Sequence, residues 1–282
     1  MMAIQSHIIF WLTRCLLMLL GFISIAHAEP LILKGDNPSP IALSSHYQLH
    51  VDGQNKLSID NVLSPSSQLE FSPLADQDYK LKTHEEALWF KVEVTNSNAY
   101  DIKQLLEFNF PLLNDLGIYI VHKHSKRILA RFDADNTQSF TNRLYQHSNF
   151  IFPVTLPAKT ELIFYFRIQS DRFFAAEATL WQPTAFAEQE RLNYFLICLY
   201  LGLLVSLICY TLFLFILIND THYLYYALFA SAILWAVGAY QGIWFELFWP
   251  NLPLWQTMSI PISFAIAGLF AAFFYLIPRV SY

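Results

Sequence analysis

Charged side chains almost disappear from this chain after position 191. Of its 17 Lys and Arg and 22 Asp and Glu residues, only Asp220 and Glu246 lie between residues 192 and 278. Residues 192–218 carry no charged side chain at all, and most of them are Leu, Ile, Val or Phe. Because about 20 consecutive apolar residues suffice for a helix to cross a bilayer, this segment is predicted to span a membrane.

Two further spans are predicted after it, at about 223–245 and 255–277. Residues 219–222 form a short polar turn, in which Asn219 or Asp220 is expected to cap the second helix. Gly238 and Gly242 stand four residues apart, a spacing that lets helix backbones approach closely. Since residue 282 follows the third span by barely one turn, residues 192–282 are interpreted as the first three helices of a longer bundle.

Residues 1–28 have the pattern of a secretory signal peptide. Arg14 precedes an apolar run, and Ala26-His27-Ala28 matches the small-x-small cleavage pattern, which places cleavage after Ala28. An uncleaved anchor over residues 8–25 is the alternative. Export implies a periplasmic domain and a multi-pass protein of the bacterial inner membrane. The absence of cysteine from residues 29–191 excludes a disulfide framework for that domain.

Residues 29–182 carry strand signals throughout. In residues 88–95, Leu88, Phe90 and Val92 alternate with polar or amphipathic neighbours such as Lys91 and Glu93, a period of two that is typical of a strand. Many short strands punctuated by turns predict an antiparallel, jelly-roll-like β-sandwich. The fold class is therefore β plus membrane α. Residues 183–191 are expected to form a short connector that leads into the first membrane helix.

The composition excludes several classes of function. A net charge of −5 offers no basic surface for nucleic acid. Residues 29–191 contain no Gly-rich phosphate loop, no Gly-x-Ser-x-Gly and no His-Glu-x-x-His, so no cofactor, metal or catalytic residue is predicted and the chain is not expected to be an enzyme. A periplasmic glycosidase remains a weaker alternative.

Three residues are candidate ligand contacts. Trp89 lies on the face of its strand that carries Lys91 and Glu93, where an exposed indole could stack on a sugar ring, unless that face is a second buried surface of the sandwich. Asn96 is either a ligand contact or a turn residue that ends the strand. Arg172 is placed in a turn between the last two strands.

Several stretches together resemble one family. The strand stretch is residues 88–96, followed by residues 105–120 around Pro111. The membrane stretches contain Gly202, Asp220, Tyr225, Tyr226 and Gly242. These resemble the bacterial seven-transmembrane receptors with diverse intracellular signalling modules, in the form that carries the type 2 extracellular domain. The chain departs from that family in having three of the expected seven helices and no cytoplasmic output domain.

The resemblance implies the front end of a signal-transduction receptor. Its expected partners are a small-molecule ligand, which the resemblance suggests is a carbohydrate, the lipid bilayer, the remaining transmembrane helices and an output domain beyond these residues. A homodimer remains open. The alternative function is a membrane-anchored periplasmic binding module without signalling output, which requires residue 282 to be the natural terminus.

Overall fold

The computed structural model describes residues 30–35, 39–64, 69–74, 84–109, 115–135, 139–170 and 177–276. The predicted signal peptide at 1–28, Arg172 and Pro111 lie outside the described residues. The strands are β1 Leu31–Leu33, β2 Ile41–Ala42, β3 Gln48–Asp52, β4 Ser72–Pro73, β5 His84–Asn96, β6 Ile102–Phe108, β7 Asp115–His122, β8 Ile128–Ala134, β9 Phe150–Leu156, β10 Thr160–Ser170 and β11 Ala178–Trp181. The helices are α1 Ile59–Leu63, α2 Pro183–Ile218, α3 Thr221–Tyr240, α4 Ile243–Leu247 and α5 Pro253–Leu276.

The strands form two sheets that enclose one core. The larger sheet has the order β4-β3-β5-β10-β7-β8, with β1 beside β5, and the smaller has the order β2-β11-β6-β9. All pairings are antiparallel except that of β1 with β5. Alternate residues of β5, including Phe90 and Val92, share a buried cluster with Phe108 and Phe152 of the other sheet. The predicted β-rich domain followed by membrane helices is confirmed.

The outer face of the larger sheet is also buried, in part, beneath α1. Ile59 and Val62 of this short helix cover Trp89, Tyr119 and Tyr165, which belong to three neighbouring strands. A capping box between Ser58 and Asn61 satisfies the first backbone donors of α1. The two faces of β5 are therefore both packed between Ala87 and Val94, where only Lys91 and Glu93 are partly exposed.

The first membrane helix begins earlier than predicted. α2 runs without a break from Pro183 to Ile218, so the predicted connector at 183–191 is helical and continuous with the span. Proline at the first helical position is compatible with this, since its missing donor would be unpaired there anyway. A helix of 36 residues is about 54 Å long, well above the ~30 Å of a bilayer core, so its first turns project from the membrane.

The second predicted span, at 223–245, is divided into two helices. α3 ends at Tyr240, Gly242 has a φ of 77°, and the short α4 then begins at Ile243. A left-handed backbone conformation at this position favours glycine and breaks the helix. At the other end, Asp220 caps α3 as predicted, with its Oδ1 accepting a hydrogen bond of 3.0 Å from the His222 backbone.

Within the described residues, three helices are long and apolar enough to cross a membrane, namely α2, α3 and α5. The predicted spans at 192–218, 223–245 and 255–277 lie largely within these helices and α4. α3 packs against both α2 and α5. Gln256 of α5 anchors this arrangement, because its side chain accepts a 2.9 Å hydrogen bond from Trp249 Nε1 and donates to the Ala239 carbonyl near the end of α3.

Candidate functional site

The sandwich is seated on the helices through two loops. Residues 139–149 between β8 and β9, here called the docking loop, lie against residues 241–252 between α3 and α5, here called the helix loop. The Phe140 backbone N–H donates to the Pro250 carbonyl at 2.8 Å. Ser139 Oγ lies 2.9 Å from that carbonyl oxygen and 2.6 Å from Asn251 Oδ1. These contacts join positions more than a hundred residues apart in the chain.

An aromatic cluster reinforces the docking. Phe140 packs edge-on against Phe245 at 5.4 Å between ring centroids, and both are buried together with Trp249. Edge-to-face pairs of this kind stabilise by about 0.5–1.5 kcal/mol beyond their buried area. The contact between domain and helices therefore has an apolar centre as well as hydrogen bonds.

Arg143 organises the docking loop from within. Its guanidinium carbon lies 4.6 Å from the centroid of Phe150, 5.3 Å from that of Phe140 and 5.7 Å from that of Phe245. Its Nη1 donates to the backbone carbonyls of His147 and Ser148 at 2.7 and 2.6 Å. Burial lowers the pKa of Arg143 to about 10, so the group is still charged at neutral pH and its charge meets carbonyl oxygens and ring faces.

His147 ties the docking loop to α2. Its Nδ1 accepts a hydrogen bond of 3.0 Å from the Asn149 backbone, so Nε2 carries the proton and donates to Glu190 Oε2 at 2.5 Å. The other oxygen of Glu190 accepts from Asn193 Nδ2 at 3.3 Å. The pair bridges 43 positions of sequence and joins the sandwich domain to the projecting turns of α2.

A cavity of about 380 Å³ lies at this junction. The docking loop contributes His147, Ser148 and Asn149, and Asn109 follows β6. The other polar side chains that line it are Glu190, Asn193 and Tyr194 of α2, with Gln241 and Glu246 of the helix-loop region. The docking loop, α2 and the helix loop therefore all line the same cavity.

The two candidate ligand contacts within the described residues are structural. Trp89 is 0% exposed and stacks on Tyr119 at 6.0 Å and 19°. This corrects the interpretation of an exposed sugar platform, because α1 covers that face, and the alternative of a second buried surface holds. Asn96 is buried, and its Nδ2 lies 2.9–3.1 Å from the carbonyls of Tyr100, Leu156 and Pro157, as expected of a turn residue.

The two glycines predicted to bring long helices together have other neighbours. A Cβ at Gly238 would lie 2.0 Å from Cε2 of Trp244, so this glycine receives the indole of α4. A Cβ at Gly242 would lie 2.9 Å from the Ser148 Cβ of the docking loop. The prediction of a Gly-x-x-x-Gly helix interface is thereby corrected. At Gly202 a Cβ would meet nothing within 4 Å in the described part of the chain.

The remaining signature residues pack within the helices. Tyr225 lies 5.7 Å from Phe273, and Tyr226 lies 6.2 Å from Phe274, both between ring centroids, so α3 contacts α5 through these tyrosines. Asp220 also accepts from His222 Nδ1 at 2.7 Å. These residues make contacts within and between the helices, and none of them lines the junction cavity.

Sequence reasoning missed the docking loop. Its residues lie between Ala134, the end of β8, and Phe150, the start of β9, and a connection of that length is well above the usual four to six residues between elements. Long loops on a rigid scaffold are common sites of function, so loop length was the available signal. Nothing in the local pattern of Phe140, Arg143 or His147 indicates what each contacts.

The fold and the junction define a class, a membrane protein with a β-sandwich domain seated on apolar helices. The family model described as 7TMR-DISM extracellular 2 matches residues 44–182, and the model described as 7TM diverse intracellular signalling matches residues 193–277. Together they cover well over half of the chain. The chain belongs to this family of seven-transmembrane receptors, and its modules are those of a membrane sensory receptor.

One solved structure with local likeness is a Faecalibacterium prausnitzii β-glucuronidase. It shares 11% identity at a TM-score of 0.26, over 49% of this chain and 22% of that one. The chain thus spans less than a quarter of the enzyme's length, and a likeness at this level says nothing about activity. No curated protein matches the chain.

Proposed function

We propose that this chain is the sensory and membrane portion of a bacterial signal-transduction receptor. A small polar molecule, with carbohydrates among the classes considered, binds the sandwich domain in the periplasm. The helices pass the change to an output domain outside these residues. The observation that carries the proposal is the docked junction, because a domain that only captured ligand would not need a polar and aromatic contact with the loop between α3 and α5.

The sandwich holds the helices at two separate places. Phe186, in the first turn of α2, is buried against Leu105 and Ile151 on the outer face of the smaller sheet. The Gln182 backbone just before it donates to Ser39 Oγ at 3.0 Å. α2 is therefore attached to the smaller sheet through Phe186 and to the docking loop through Glu190, whereas the helix loop is attached to the docking loop alone.

Two attachments give the domain a way to move helices relative to one another. A ligand that favours one position of the docking loop relative to β11 would shift the helix loop against α2. Only a ligand with different affinities for the two arrangements can drive such a change. The proposed switch is therefore a change in the geometry of the junction and needs no catalytic step from these residues.

The order of the strands supports the jelly-roll prediction. Eight of the strands lie in the order β5-β10-β7-β8 in the larger sheet and β2-β11-β6-β9 in the smaller one, and the chain changes sheet at each step along these eight except from β7 to β8. Eight strands shared in this way between two sheets are typical of a jelly roll, an architecture also found in lectin domains. This keeps carbohydrates among the ligand classes, although Trp89 is not available to them.

Hydrogen exchange of the 282-residue chain in lipid nanodiscs tests the proposal. A thermal-shift screen against sugars, amino acids, amines and carboxylates first identifies a ligand, since binding to the folded state raises its melting temperature. We expect that ligand to change exchange in residues 139–149 and also in 241–252. Protection confined to the sandwich would contradict signalling and favour the alternative of a membrane-anchored binding module.

A further inference from the structure

We propose that the junction cavity binds a small organic cation, a molecule with an ammonium group. This inference rests on the receptor function proposed above and assigns its ligand site and ligand charge. The cavity's volume of about 380 Å³ lies within the range of small-molecule sites, about 300–1,000 Å³. It lies where the domain meets the helices, away from the buried Trp89.

The charge of the lining determines the class of ligand. Two carboxylates, Glu190 and Glu246, line the cavity, and no Lys or Arg among the described residues does. The Nε2 proton of His147 is already donated to Glu190. An anion would therefore meet two negative groups, and a neutral ligand would leave the carboxylate of Glu246 without an opposite charge. An ammonium group is attracted by both carboxylates.

Glu246 is the side chain most available to such a ligand. It is exposed, and no hydrogen bond or ion pair of its carboxylate is found among the described residues. Glu190, in contrast, already accepts from His147 and Asn193. Glu246 is therefore expected to pair with the ammonium group, and Glu190 on α2 to add to the negative potential of the cavity.

The other lining groups suit the rest of an amine. Tyr194 offers an aromatic face, which attracts a cation within about 6 Å of the ring centre. Asn193 and Gln241 offer amide donors and acceptors for hydroxyl or second amine groups on the ligand. Leu196, Ile197 and Ile243 add apolar side chains to the lining, so the cavity suits a compact amine with a short carbon skeleton.

The position of the cavity explains how such a ligand would act. Glu190 lies on α2, Glu246 lies on α4, and His147 lies on the docking loop. A cation between the two carboxylates would draw α2 and α4 toward each other. Its affinity would therefore differ between arrangements of the junction, which is the condition for shifting them.

Matched pairs of probes test the charge requirement. Binding to the 282-residue chain in zwitterionic nanodiscs is measured calorimetrically for putrescine against 1,4-butanediol, and for glucosamine against glucose. We expect at least one amine to bind about tenfold or more tightly than its neutral partner, which corresponds to one charge pair of modest strength. Equal affinities within both pairs, or no binding by either amine at millimolar concentration, would overturn the inference.

Two variants locate the site. Glu246→Gln keeps the size of the side chain but removes its charge, and should weaken amine binding by about fivefold or more. Glu188→Gln removes a charge from an exposed position of α2 outside the cavity lining and should leave binding unchanged. Wild-type affinity in the Glu246→Gln chain, or an equal loss in both variants, would contradict the site.

The outcomes separate this inference from the proposed function. If another ligand changes exchange in both loops while no amine binds selectively, the receptor function stands and the cation site is wrong. If an amine binds through Glu246 but leaves exchange in α3 and α5 unchanged, the site stands and signal transmission through the helices is wrong.

Discussion

Arg143 shows how one side chain can hold a whole loop in place. Three ring faces and two backbone carbonyls surround its guanidinium, and these partners come from the docking loop, β9 and α4. Among the described residues, no carboxylate forms an ion pair with it. The same few positions, Phe140, Arg143 and His147, make the main contacts of the junction with the helices.

Arg143→Ala is predicted to release the docking loop. Removing the guanidinium leaves the carbonyls of His147 and Ser148 without donors, which costs on the order of 1–3 kcal/mol for each buried group. Hydrogen exchange in residues 139–149 should rise strongly. Arg127→Ala, at an exposed position of the β7–β8 turn, should leave exchange there unchanged. Unaltered exchange in the Arg143→Ala chain would show that the guanidinium does not organise the loop.

Gly238→Ala is predicted to destabilise the helices. The new Cβ would lie 2.0 Å from Trp244, a ring held by a 2.9 Å hydrogen bond from its Nε1 to the Trp235 carbonyl. Overpacking of this kind costs about 1–3 kcal/mol. The melting temperature in detergent should fall, whereas Gly202→Ala, with open space around its Cβ, should leave it unchanged or raise it slightly. Equal melting temperatures of Gly238→Ala and Gly202→Ala would contradict the close packing of Trp244 against Gly238.

Glu93 is predicted to make the domain's stability depend on acid pH. Burial raises the pKa of Glu93, but hydrogen bonds from Lys91 and Lys123 outweigh this and leave the pKa below its ordinary value. A lowered pKa in the folded state adds stability above the unfolded pKa, and that stability is lost as pH falls through the folded pKa.

Thermal unfolding between about pH 6 and pH 3 tests this dependence. Glu93→Gln should be less stable than wild type near neutral pH and should lose less stability on acidification. Glu86→Gln, at an exposed position of the same strand, serves as the control and should follow the wild-type curve. If the melting temperatures of wild type and Glu93→Gln fell in parallel with pH, the Glu93 carboxylate would not contribute to the pH dependence of stability.

The unbroken helix α2 connects the sandwich directly to the first membrane span. Because no residue breaks the helix after Pro183, the turns that carry Phe186 and Glu190 are rigidly connected to the span below them. In the proposed function, a change in the orientation of the sandwich would be transmitted along α2 without a flexible joint. α3, in contrast, ends at Tyr240, and Gly242 with its positive φ separates it from α4.

Inserting one alanine after Glu188 is predicted to uncouple the junction. Each added residue turns the rest of a helix by about 100°, so Glu190 would face away from His147 while Phe186 stayed in place. Exchange in residues 139–149 should rise, and the response of 241–252 to ligand should be lost. An alanine inserted after Ser125, in the β7–β8 turn, should change neither. A normal ligand response in the first insertion variant would exclude α2 as a rigid link.

The whole molecule divides into a part that water can surround and a part that it cannot. The sandwich buries its apolar residues between two sheets, whereas α2 and α5 leave many exposed, among them Leu203, Ile216 and Leu269. Gly202 and Gly268 also have no neighbour within 4 Å of a built Cβ in the described residues. Lipid or further helices are needed to cover these surfaces.

The 282-residue chain is therefore predicted to remain in the membrane during alkaline carbonate extraction. Contact with lipid should be required for solubility, because the exposed faces of α5 and of α2 beyond Arg191 are largely apolar. The chain should appear in the pellet and dissolve in mild detergent. Recovery of folded chain in the carbonate supernatant would contradict the assignment of membrane spans.

Local patterns were enough to predict both parts of the fold. The loss of charge after residue 191 and the length of the apolar runs led to three spans, since insertion into a bilayer depends on composition over about 20 residues. Alternation along residues 88–95 led to a strand, since side chains alternate between faces of a sheet. Capping by Asp220 could also be predicted from the local sequence, because its hydrogen-bond partner lies only two residues away.

The site depended on contacts that no local pattern contains. Trp89 is buried because α1 folds back over its face of the sheet. Gly238 contacts an indole and not another long helix because the chain breaks at Gly242. His147 and Glu190 are 43 positions apart. Periodicity specifies which face of an element is apolar, but the partner of that face is chosen by packing among elements distant in sequence, and the junction consists of such pairs.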